Sequence, residues 1–173
     1  MSSDSRNIIS RRGVLLGTMG LLGGLAGCQV RPLYSEAKGT RHLMASIAFS
    51  DAGSRVGQVV RNRLIFLAAG GQGEPSNPEY IVTLNVSSTT TEVLPVQSTN
   101  SMTGGRVVVR GDYTLKKAKE GTVIRIAHRQ SVALLDYPGQ EFAKLRAIRD
   151  AENRAANELA ELISADLAAI LTR

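Results

Sequence analysis

Arg106-Val107-Val108-Val109-Arg110-Gly111-Asp112-Tyr113-Thr114-Leu115 decides the fold of this chain. Val107, Val109, Gly111, Tyr113 and Leu115 alternate with Val108, Arg110, Asp112 and Thr114, the period-two pattern of a strand with one face in a core. Lys119-Glu120-Gly121 reads as a turn, so residues 106–117 and 122–136 form a hairpin that Tyr137-Pro138-Gly139 closes.

Upstream, Tyr80, Val82, Leu84 and Val86 share one face of another strand, with Ile81, Thr83 and Asn85 opposite. A polar run from Ser87 to Glu92 continues it to Pro95, and residues 96–105 read as a long polar loop. Leu43, Ala45, Ile47 and Phe49 alternate as a first strand. Residues 52–69 then place Val56, Val59, Val60, Leu64 and Leu67 at helical spacing, with Ser50-Asp51 as the expected N-cap. Gly70 and Gly71 end that helix, since glycine readily takes the left-handed conformation of a helix C-terminus.

Downstream, one amphipathic helix runs from Gln140 or Glu141 to about Leu171. Its apolar stripe is Phe142, Leu145, Ile148, Ala151, Ala155, Leu159, Leu162, Ile163, Leu167, Ile170 and Leu171. The order βαβββα specifies an α+β two-layer sandwich: a mostly antiparallel four-stranded sheet with two helices on one face. The chain has no Trp and few aromatics, so its core must be aliphatic.

The N-terminus carries an address. Arg6, Arg11 and Arg12 make a basic region, residues 14–26 an apolar one, and Leu25-Ala26-Gly27-Cys28 matches a bacterial lipobox. The apolar stretch falls short of the roughly 20 residues of a membrane span. The expected division is a cleaved signal peptide at 1–27, a lipidated tether at 28–40 and a single domain at 41–173. Cys28, the only cysteine, is the expected lipidation site, with Leu25, Ala26 and Gly27 recognised by the signal peptidase. The covalent diacylglycerol and N-acyl chain on Cys28 are then the only non-protein groups expected, with no cofactor. Several acyl chains, at about 0.8 kcal/mol per buried CH₂, suffice for stable anchoring. Ser10-Arg11-Arg12-Gly13-Val14-Leu15 is compatible with twin-arginine export as well as the Sec route, and Gln29, rather than aspartate, favours outer-membrane sorting. Cleavage lowers the net charge from +6 to +4. A mildly basic exported chain suits an anionic partner and does not fit nucleic acid.

Cys28-Gln29-Val30-Arg31-Pro32-Leu33-Tyr34 resembles the start of the LptE family of lipopolysaccharide (LPS) assembly lipoproteins, in its alphaproteobacterial form. Further similarity lies in Arg63-Leu64, in Tyr80 through Leu84, and in Arg110-Gly111-Asp112-Tyr113-Thr114-Leu115. Toward the C-terminus it continues through Asp136-Tyr137 and Phe142-Ala143, and along Asp150-Ala151-Glu152-Asn153-Arg154-Ala155-Ala156. The resemblance implies a βαβββα sandwich seated as a plug inside the outer-membrane β-barrel LptD. It also implies help in assembling that barrel, binding of LPS, and a periplasm-facing lipid anchor in the outer membrane. The alternative is a lipoprotein carrier or chaperone for lipids or envelope fragments, which would need an apolar cavity.

No catalytic constellation is legible. His42 and His128, the only histidines, fall in strand patterns, and no Cys/His/Asp spacing resembles a metal site. A non-enzymatic role is expected. Arg106, Arg110, Lys116, Lys117, Lys119, Arg125 and Arg129 concentrate on the hairpin, while residues 104–130 contain only Asp112 and Glu120 as acids. Arginine and lysine bind phosphate through charge-assisted hydrogen bonds. These seven residues are therefore the candidate LPS or anion contacts, although charge also keeps a sheet edge soluble. Ion pairs of Arg106 and Arg110 with Asp112 are expected to absorb part of the charge. The polar loop at 96–105 suits contact with the hydrated interior of a barrel.

Overall fold

A computed structural model describes residues 39–96 and 101–172 of the 173-residue chain. The lipobox residues Leu25, Ala26, Gly27 and Cys28, the leader before them and the tether up to residue 38 lie outside the described residues. So do residues 97–100. The elements are α1 (Thr40–Ala45), β1 (Ile47–Phe49), α2 (Arg55–Ala69), β2 (Tyr80–Val96), β3 (Ser101–Lys117), β4 (Val123–Asp136) and α3 (Glu141–Leu171).

The sheet order is β1-β2-β3-β4. β1 and β2 are parallel, Ile47 against Tyr80 and Phe49 against Val82, as a crossover through a helix requires. The β2–β3 pair is antiparallel from Tyr80 against Lys117 out to Val96 against Ser101. The β3–β4 pair is antiparallel from Gly104 against Asp136 to Lys116 against Val123, with an irregularity after Leu115. The expected sandwich is present, with one more helix at its start.

Three sequence expectations are corrected here. Residues 43–45, expected as strand, belong to α1. Thr40 and Met44, one helical turn apart, are the buried residues of that helix. The Ser46 hydroxyl donates to the Leu43 carbonyl at 2.8 Å and ends it. His42 accordingly lies on a helix rather than a strand. The N-cap of α2 is Ser54, whose Oγ accepts from the Gly57 N–H at 3.0 Å, and not Ser50 or Asp51. Ser50 instead prolongs the β1–β2 contact, its N–H donating to Val82 and its Oγ accepting from Leu84 N–H. Finally, the expected loop at 96–105 is largely strand: Met102 pairs with Pro95 and Gly104 with Leu94, across register shifts near Leu94. The polar residues hid a ladder that carries the β2–β3 pairing past Gly104.

The helix at the C-terminus and the end of α2 follow the sequence closely. Gly70 adopts φ 59°, the left-handed C-cap that a Cβ would strain. Val60, Leu64, Val82, Val107, Leu115, Leu159, Ile163 and Leu167 are wholly buried between helices and sheet. Each such side chain contributes about 1.5–3 kcal/mol relative to exposure. Ala151, Ala155, Ala156 and Ala160 line the inner face of α3, letting it approach so near that a Cβ on Gly111 would meet Leu159 at 3.2 Å.

Candidate interaction surface

Both helices cover the same face of the sheet, and among the described residues no element covers the other. Strand alternation fixes what each face shows. Val107, Val109, Tyr113 and Leu115 of β3 are buried toward the helices, so Arg106, Arg110, Asp112, Thr114 and Lys116 point the other way. The register carries that division into β4. Ala133, Ser131, Arg129, Ala127 and Arg125, opposite the buried set, are on the helix side. Leu134, Val132, Gln130, His128 and Ile126 are on the open face.

The seven basic candidates are thereby divided. Arg106, Arg110 and Lys116 share the open face, Lys117 and Lys119 sit at the turn, and Arg125 and Arg129 lie beneath α3. Lys117 pairs with Glu120 at 3.3 Å. Arg129 is held by Asp166, with Nε to Oδ2 at 2.7 Å and Nη2 to Oδ1 at 2.9 Å. The expected pairing with Asp112 is not among the ion pairs of the described residues: Arg110 Nε donates to Gln130 Oε1 at 3.2 Å instead. Cross-strand geometry sets that outcome, since Gln130 stands directly opposite Arg110 while Asp112 is two residues along the strand.

Asp166 also accepts from the Tyr113 hydroxyl at 3.0 Å. Burial, and then the bond to this carboxylate, push the Tyr113 phenol up to about 12. The same carboxylate raises the Arg129 guanidinium above its ordinary value through hydrogen bonding and charge. Tyr113, Asp166 and Arg129 thus lock β3 and β4 to the last turns of α3. Beside them a depression of about 310 Å³ opens between Arg125, Arg129, Ala169 and Ile170. On the open face a second, of about 250 Å³, lies between Thr83, Asn85, Asp112, Ile126 and His128. Neither is an enclosed apolar cavity of the kind a lipid carrier needs.

Sequence reasoning missed the exposed apolar residues. Phe142 and Leu145 fall in the expected core stripe of α3, yet they are 86% and 54% exposed. At the start of α2, Arg55 pairs with Glu152, about ten residues into α3, and Phe142 and Leu145 lie before that point. The relative lengths of the two helices carried that signal, 31 residues against 15. Ile126, Val132 and Leu134 lie on the face that strand alternation turns away from the helices.

Among the described residues no helix is long and apolar enough to cross a membrane, and no cluster of His, Cys, Asp or Glu could hold a metal ion. No curated protein matches the chain. A crystal structure of a protein from Caulobacter crescentus CB15, described as a lipoprotein, is similar at TM-score 0.63 and 26% identity. The match covers 77% of this chain and 96% of that one. The rare lipoprotein B of Shewanella oneidensis shares the fold at TM-score 0.50 and 14% identity, covering 71% and 93%. A solution structure of lipoprotein B from Nitrosomonas europaea does so at 0.51 and 15%, covering 72% and 86%. The sequence itself matches the family described as LptE, lipopolysaccharide-assembly, over residues 44–167, which runs from α1 nearly to the end of α3. With a match over well over half of its length, and with that family's order of strands and helices in place, this chain belongs to the LptE family.

Proposed function

We propose that the chain is an outer-membrane lipoprotein, anchored by acyl chains on Cys28, that plugs an LptD-type β-barrel and assists its assembly. In that complex it helps deliver LPS to the outer surface. The observation that carries this reading is the family match from residue 44 to 167. The geometry supports it. The two long helices of the domain are joined by the ion pairs Arg55–Glu152 and Arg63–Glu161, the latter at 2.6 Å. Among the described residues one sheet face is open, and large apolar side chains are exposed at Phe142, Leu145, Ile126 and Leu134. Phe142 and Leu145, three residues apart on α3, form an exposed apolar pair that suits contact with a partner.

Arg106, Arg110 and Lys116 on the open face, with Lys119 at the turn, are the contacts we assign to LPS phosphates. Lys117 is already paired with Glu120, and Arg129 is held by both oxygens of Asp166. The role is binding rather than catalysis. Depleting the chain in its native bacterium tests the proposal: LPS at the cell surface and the folded barrel should fall together. Normal surface LPS with a fully assembled barrel would reject it.

A further inference from the structure

The first turns of α3 are tied to the sheet by Lys144, which sits over the Tyr137 ring at 4.7 Å and reaches Glu92 of β2 at 3.2 Å. Further along, Ala151 and Ala155 are buried on the same side of the helix. At 3.6 residues per turn, Phe142, Leu145, Arg146 and Arg149 fall within about 100° of one another, turned away from Lys144 and those alanines. All four are exposed.

The acids that helical spacing offers these two arginines are engaged elsewhere. Asp150, four residues after Arg146, pairs with Arg154 at 3.0 Å. Glu152, three residues after Arg149, pairs with Arg55 of α2 and accepts from the Ser88 hydroxyl at 3.2 Å. Asn153, the next residue, accepts from Arg55 at 2.8 Å. Glu141 is the only acid among residues 141–149, and its charge acts on Lys144. Arg146 and Arg149 therefore have no hydrogen-bond or ion-pair partner among the described residues.

We infer that this face of α3 docks the barrel partner, at a segment where an apolar pocket is flanked by carboxylates. Phe142 and Leu145 fill the pocket, and Arg146 and Arg149 each meet an Asp or Glu. The inference rests on the proposed barrel complex and names the chemistry of one contact within it. Charge complementarity selects the occupant: two exposed guanidinium groups, beside acids already engaged, match an acidic partner surface. Aromatic side chains and arginine are also the types that anchor protein interfaces. A lipid surface fits less well, because binding there scales with buried apolar area and this face offers two apolar side chains. A second copy would set arginine against arginine across a two-fold axis.

The test uses the full tagged chain in its native bacterium. With Phe142 replaced by the photo-cross-linker benzoylphenylalanine, illumination should join it to a barrel peptide that carries Asp or Glu beside apolar residues. Arg146→Glu with Arg149→Glu should lower recovery of the barrel about fivefold or more, whereas Arg146→Lys with Arg149→Lys should keep it within about twofold. Thermal unfolding should be the same for both variants and the parent, since the altered positions are exposed. A cross-link to lipid, to a second copy or to a barrel segment without carboxylates would overturn the inference. So would undiminished barrel recovery with the charge-reversed chain. If the unaltered chain recovers no barrel at all, the proposed function fails and this contact falls with it.

Discussion

Tyr137 packs against Gly105: a Cβ at that glycine would clash with the tyrosine hydroxyl and stand 2.7 Å from its ring. The glycine is buried where β3 leaves the core, and Tyr137 follows directly after β4. The ring supplies the apolar cover that the glycine lacks. Lys144 of α3 sits over the same ring at 4.7 Å from its centroid and reaches Glu92 of β2 at 3.2 Å. One aromatic side chain therefore ties the hairpin, β4 and the start of α3 together.

Gly105→Ala should consequently displace Tyr137 and destabilise the fold by about 1–3 kcal/mol, the usual cost of overpacking. Denaturant unfolding measures it. Adding Tyr137→Ala should cost less than the sum of the two single changes, because the clash is already gone. Additive losses would mean that the ring does not pack on the glycine.

Tyr113 gives a pH dependence whose sign is fixed. Its phenol ionises near 10 when unfolded and at about 12 in the fold. The native state therefore holds a proton that the unfolded chain loses first, and this contribution is complete below pH 10 and disappears as pH rises to 12. Tyr113→Phe should flatten the stability profile in that window and cost about 1 kcal/mol below it, for the lost bond to Asp166. Thermal unfolding of both proteins from pH 9 to 12 gives the comparison.

Glu74 closes the β1 edge, accepting from Phe49 and holding Arg61 at 2.6 Å. Glu74→Ala should destabilise by about 1–3 kcal/mol, since a hydrogen bond to a charged group is lost together with its ion pair. Faster amide exchange at Phe49 is the local signature, and it should be absent at β4.

Phe142 and Leu145 contribute little to the free domain because they project from it. Phe142→Ser with Leu145→Ser should shift stability by less than about 0.5 kcal/mol, as surface changes do. The same pair should reduce recovery of the barrel partner severalfold. A large loss of stability would place both side chains in the core after all.

Strong periodic signals made much of the fold legible from the chain. Leu159, Ile163 and Leu167 marked the C-terminal helix, Val107 through Leu115 the central strand, and Gly70 the end of α2. Thr40–Ala45 was misread because a six-residue helix offers too little sequence to separate period four from period two. The strand beyond Gly104 escapes a reading by periodicity because backbone pairing alone requires no apolar alternation. The basic residues were legible as a group but not by their placement. Which face Arg125 occupies depends on the irregularity after Leu115, a property of the pairing between strands.

The central claim is that this domain works by filling a larger protein. Purification of the tagged chain from outer membranes in mild detergent, followed by mass determination of the acylated Cys28 peptide and of whatever accompanies it, tests that most directly. The account predicts a lipid-modified cysteine and a large β-barrel in stoichiometric amount. Recovery of the chain alone, with an unmodified thiol, would contradict it.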